Sequence, residues 1–122
     1  MRKQMGATVA VLLGAAVVAS GASAKDGVRV SGTCTKASTS KLKLGREDGG
    51  TEVEFEVDQN RNGVRWRVVL LRNGVRVASR VAVTRGPSGS FEVRFVTAGA
   101  GRFVARATSP SGEICRASAS IA

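Results

Sequence analysis

Two neighbouring stretches decide the fold: Lys41-Leu42-Lys43-Leu44 and Glu52-Val53-Glu54-Phe55-Glu56-Val57-Asp58. In both, apolar and charged residues alternate strictly, the period of a strand with one buried face. Glu47-Asp48-Gly49-Gly50 lies between them and supplies turn residues. Setting Leu44 opposite Val53 and Leu42 opposite Phe55 gathers the apolar side chains on one face of a hairpin. The same register sets Lys43 opposite Glu54 and Lys41 opposite Glu56 on the other face. Each such pair contributes roughly 0.2–1 kcal/mol. The acidic stripe Glu52, Glu54, Glu56 therefore reads as half of a charge ladder. Nothing in the segment offers the apolar burial that raises a carboxyl pKa for acid catalysis.

Working outward, the same alternation recurs and no helical period appears. Val28–Cys34 reads as a short first strand. Val64–Arg72 and Val75–Arg85 flank Asn73-Gly74, the signature of a type I′ hairpin turn. A two-residue loop pairs Arg72 with Val75, Leu70 with Val77, Trp66 with Val81 and Val64 with Val83, an apolar face. It also puts Arg67 across from Arg80, with Arg65 and Arg76 nearby. That second face is basic and has no acidic partner within the hairpin. Gly86-Pro87-Ser88-Gly89 is a turn, and Ser90–Thr97 is a strand with Phe91, Val93 and Phe95 inward. Gly99-Ala100-Gly101 turns the chain into Arg102–Thr108. Ser109-Pro110-Ser111-Gly112 then leads into Glu113–Ile121. Roughly seven or eight strands at intervals of about 8–12 residues are the pattern of an all-β sandwich.

The N-terminus fixes the expected compartment. Met1-Arg2-Lys3-Gln4 is positive, Val9–Ala19 is apolar but for Gly14, and Ala22-Ser23-Ala24 puts small residues at a cleavage site. That order is the pattern of a secretory signal peptide, cleaved after Ala24. The run is shorter than the roughly 20 apolar residues of a membrane span. The expected product is a secreted single domain, residues 25–122, with no transmembrane segment. In an oxidising compartment the two cysteines, Cys34 and Cys115, are expected to pair, clipping the first strand to the last. The alternative is two buried free thiols.

Composition narrows the chemistry. The chain has no histidine, so Ser-His-Asp and Cys-His arrangements are excluded and two thiols alone do not complete a zinc shell. No glycine loop leads from a strand into a helix to cradle phosphate. The expectation is a protein that is not an enzyme and has no cofactor. Asp58-Gln59-Asn60-Arg61-Asn62-Gly63 matches the first half of a calcium loop, with Asp58, Asn60 and Asn62 as the candidate ligands. The twelfth position, however, is Val69 instead of Glu, so the segment reads chiefly as an Asn/Gly-rich turn. Trp66, on the apolar strand face, reads as core.

A formal charge of +10 suits anionic cell-wall polymer, lipid headgroups, nucleic acid or an acidic protein. Single-strand binders add exposed aromatics for base stacking. With one tryptophan and no tyrosine, nucleic acid is disfavoured. The expected binding face is Arg65, Arg67, Arg76 and Arg80, meeting an anionic cell-wall polymer or an acidic protein. The competing expectation is a structural, surface-assembly module whose charges serve solubility alone.

Several segments together carry a resemblance: Val30-Ser31-Gly32-Thr33-Cys34, Lys41-Leu42-Lys43-Leu44, Glu52–Asp58, Gly63 with Trp66, Ser88-Gly89-Ser90-Phe91 and Gly112-Glu113-Ile114-Cys115. They resemble small secreted actinobacterial proteins of an uncharacterised family. The resemblance implies an immunoglobulin-like sandwich and export by a Gram-positive-type bacterium. It transfers no catalytic or ligand-binding residue. The layout is also similar, more distantly, to fibronectin type III modules, which is a statement about fold alone.

Overall fold

The alternating stretches form the strands they imply. The computed structural model describes residues 27–122, so the expected signal peptide, Met1–Ala24, lies outside the described residues. The strands are β1 (Val28–Ser31), β2 (Thr33–Cys34), β3 (Thr39–Glu47), β4 (Gly50–Asp58), β5 (Arg65–Arg72), β6 (Val75–Val83), β7 (Ser90–Ala98), β8 (Gly101–Thr108) and β9 (Ile114–Ile121). They build an antiparallel immunoglobulin-like sandwich. The four-stranded sheet runs β1-β3-β4-β7 and the five-stranded sheet β2-β9-β8-β5-β6. Among the described residues, no helix is long and apolar enough to cross a membrane.

The β3–β4 hairpin has the expected register: Leu44 faces Val53, Leu42 faces Phe55, Lys43 faces Glu54 and Lys41 faces Glu56. Leu42, Leu44, Val53, Phe55 and Val57 are buried on its inner side. Lys43 Nζ lies 3.8 Å from Glu54 Oε1 on its outer side. The core is completed from the facing sheet by Trp66, Val68, Leu70, Phe103, Ala105 and Ala107. Burying each large side chain contributes about 1.5–3 kcal/mol. Trp66 is fully buried, as expected. Its ring centroid is 5.9 Å from that of Phe91, and its Nε1–H donates to Gln59 Oε1 at 3.1 Å.

The first strand departs from expectation by dividing between the sheets. Val28–Ser31 pairs with β3, whereas Thr33 and Cys34 pair with β9. Gly32 is the crossing point, its N–H donating to the Ser40 carbonyl at 2.9 Å. With this division the described residues form nine strands instead of seven or eight. Cys34 and Cys115 are bonded, as expected, and sit directly opposite each other. The bridge joins neighbouring strands of one sheet, unlike the inter-sheet bridge of antibody domains. Across a sequence separation of 81, loop-closure entropy makes such a link worth about 4–5 kcal/mol.

The β5–β6 hairpin corrects the expected register. Asn73-Gly74 makes the turn with positive φ at both residues, and Arg72 faces Val75. A bulge between Leu70 and Leu71 then shifts the pairing by one residue. Leu70 faces Ala78 instead of Val77, and Trp66 faces Ala82 instead of Val81. Val75, Val77, Val81 and Val83 are exposed, not packed in the core. The physical reason is volume: the indole and Leu70 fill the space at this edge, leaving room only for alanines across from them.

Candidate functional site

The same shift divides the expected arginine face. Arg67 faces Val81, and Arg80 faces the buried Val68. Directly opposed residues share a face, so Arg80 is on the side of the sheet turned towards the other sheet, not beside Arg67. It reaches β7 there: Nη1–H donates to the Arg94 carbonyl at 2.9 Å, and the guanidinium carbon lies 4.8 Å from the Phe95 ring centroid. Arg65 and Arg67 do lie on the outer face. Arg76 faces Leu71 and shares that outward side.

What the expected set missed is the contribution of β8 and β9. Their register puts Arg106 opposite Arg116 and Arg102 opposite Ser120, with Ala105, Ala107 and Ala117 buried between. Arg106 also faces Val69 of β5, on the same side as Arg67. Arg65, Arg67, Arg106 and Arg116 thus form a diagonal band across the five-stranded sheet, with Arg102 and Arg76 towards its other end. All of these arginines are exposed. The clue was available: Arg102, Val104 and Arg106 share parity, and the Ser109–Gly112 loop fixes which β9 residues oppose them.

Charge is partitioned by sheet. Glu47, Glu52, Glu54, Glu56 and Asp58 lie on β3 and β4, and Glu92 on β7, with Asp48 in the turn between β3 and β4. Among the described residues, the outer face of the five-stranded sheet carries no carboxylate. Arg106 and Arg116, like charges directly across strands, are therefore uncompensated there, an arrangement that costs stability. Beside this band is an open depression of about 400 Å³ lined by Arg65, Arg67, Val81, Thr108, Ser109 and Pro110.

The four-stranded sheet is different in character. Its outer face holds a shallow depression of about 210 Å³ where Arg29, Lys41 and Lys43 meet Glu54, Glu56 and Glu92. Arg94 pairs with Glu52 and, at 3.7 Å, with Glu47. Glu92 faces Glu56 directly, and its pKa is raised by burial first, then by the charges of Glu54 and Glu56. Charges of both signs meet here, so the surface largely satisfies itself.

Two further constellations serve the fold. Glu113 is buried and accepts hydrogen bonds from Lys36 N at 3.1 Å, Ser38 N at 3.0 Å and Ser38 Oγ at 2.8 Å. It pins the loop that follows Cys34. Its carboxylate lies within 4.8 Å of both cysteine sulfurs, but those are bonded to each other and offer no thiolate to a metal. In the calcium-like segment, Asp58 Oδ1 accepts the Asn60 N–H at 3.1 Å, and Asn60 is left-handed at φ 59°. Asn62 stands beside Gly86, and Val69 is inside β5. Asp58 is thus employed as a turn former. No protein-family model matches the chain, and no curated protein matches it.

Proposed function

We propose that this protein is a secreted, non-enzymatic binding module that engages an anionic polymer of the bacterial envelope through the outer face of its five-stranded sheet. The observation that carries this reading is the one-signed face: Arg65, Arg67, Arg76, Arg102, Arg106 and Arg116, with no carboxylate among them in the described residues. A planar guanidinium gives paired hydrogen bonds to phosphate or carboxylate, which suits a regular polyanion. An anion seated between Arg106 and Arg116 would offset a repulsion that the fold leaves standing. A sheet fixes the arginine spacing before the ligand arrives, which limits the ordering cost of binding. Export through the N-terminal segment would place this face against such polymers, and the disulfide suits an oxidising setting.

Binding of the purified protein to isolated envelope polymer, followed across a salt series, tests the reading. Arg67→Glu combined with Arg106→Glu should weaken retention about tenfold or more, and retention should fall as salt rises. Unchanged retention in the double variant would overturn it.

A further inference from the structure

We infer that the free edge of β6 pairs antiparallel with β6 of a second copy of this chain, centred on Val81. The inference goes beyond the anion-binding reading, because it rests on the edge of the sheet and not on its arginines.

The sandwich has four sheet edges, and three of them are formed by short strands or are covered in part. β1 and β2 are only 4 and 2 residues long. The β7 edge is covered at Ser90 by a backbone bridge from Arg85, and at the Arg94 carbonyl by the Arg80 side chain. Short strands and inserted charges are the usual means of blocking edge-to-edge association. β6 is 9 residues long and the last strand of its sheet, with no strand paired along its free side among the described residues; its bulge lies towards the turn, and its inward charge, Arg80, is taken up by β7. Val81 and Val83 are 43% and 36% exposed there.

Backbone polarity identifies the paired groups. Thr84 N–H donates to the Val64 carbonyl, and the Thr84 carbonyl accepts from Gly63 N–H. Thr84 thus faces β5. By strand alternation Ala82, Arg80 and Ala78 face β5 as well, and Ser79, Val81 and Val83 present their N–H and C=O groups to the open side. This regular stretch lies beyond the bulge, and it is self-complementary. With Val81 opposite Val81 of the second copy, Ser79 meets Val83, Arg80 meets Ala82 and Ala78 meets Thr84. Each open N–H and C=O in the stretch then finds a partner, and the outward Val81 and Val83 of both copies form one apolar patch.

This register sets no like charges directly opposite one another. Arg80 is already turned onto its own β7. Arg67 sits one strand in from the edge. The two copies of Arg67 would be about 14 Å apart, three strand spacings, beyond a Debye length of about 10 Å at 0.1 M salt. The paired molecules would share one continuous sheet and extend the arginine face across both.

Sedimentation of the purified protein from micromolar to near-millimolar concentration should reveal a doubling of mass. Val81→Lys should remain monomeric throughout, whereas Val96→Lys, at an exposed valine on β7, should associate like the unmodified chain. Val81→Cys should form a disulfide-linked dimer under mild oxidation, since directly opposed residues stand about 5.5 Å apart at Cα. Ser79→Cys, opposite Val83, should not. A chain that stays monomeric at every concentration overturns the inference. So does a dimer that crosslinks through position 79 and not 81.

Discussion

At Gly32 the chain leaves one sheet for the other, and the close approach there admits no side chain. A Cβ would collide with Ser40 Oγ and stand 2.5 Å from the Arg116 carbonyl oxygen and 2.9 Å from Ala117 Cβ. Gly32→Ala should therefore destabilise the fold by roughly 2–4 kcal/mol in denaturant unfolding, within the range of overpacked sites. Gly45→Ala has open space around it and should fall within about 0.5 kcal/mol of the unmodified chain. Equal effects at both positions would contradict this account of the crossing. Glu92 is a second informative residue. Burial and the neighbouring Glu54 and Glu56 raise its pKa in the folded state. In the window just above its ordinary value of 4.5, the folded state holds more proton than the unfolded one, so stability falls as pH rises. Glu92→Gln should accordingly raise stability by ~0.5 kcal/mol at neutral pH, a like-charge pair being removed. The gain should vanish below pH 4, which thermal melts at the two pH values would register.

Among the elements, the two hairpins differ in how much of them could be read in advance. β3–β4 was legible because both strands alternate without interruption and opposite charges fall into register. β5–β6 was legible only near its turn. The sequence Val75-Arg76-Val77-Ala78-Ser79-Arg80-Val81-Ala82-Val83 can put its valines on either face, so one bulged residue reverses the outcome unseen. The deciding feature is the bulge near the turn, which no periodicity contains. The arginines of β8 and β9 were legible in parity but joined the site only once the sheet order placed β8 beside β5 and β9 beside β8. The loop between β2 and β3 depends instead on one buried carboxylate. Glu113→Ala would orphan Lys36 N, Ser38 N and Ser38 Oγ. It should cost about 2–4 kcal/mol and expose amides 36 and 38 to rapid hydrogen exchange. Full retention of their protection would refute the pinning role.

For the molecule as a whole, the governing feature is the assignment of charge to sheets. The four-stranded sheet mixes both signs and neutralises itself through Lys43–Glu54 and the Arg94 pairs. The five-stranded sheet keeps its outward arginines without partners among the described residues. Net charge alone would make any polyanion adhere weakly to any basic protein, whereas a built face makes adhesion depend on position. The most direct measurement compares two charge-matched variants on the same envelope polymer. One carries Arg67→Glu and Arg106→Glu on the five-stranded sheet; the other carries Arg29→Glu and Arg46→Glu on the four-stranded sheet. The first should elute at much lower salt than the unmodified protein and the second close to it. Equal losses in the two variants would mean that total charge, and not this face, holds the ligand.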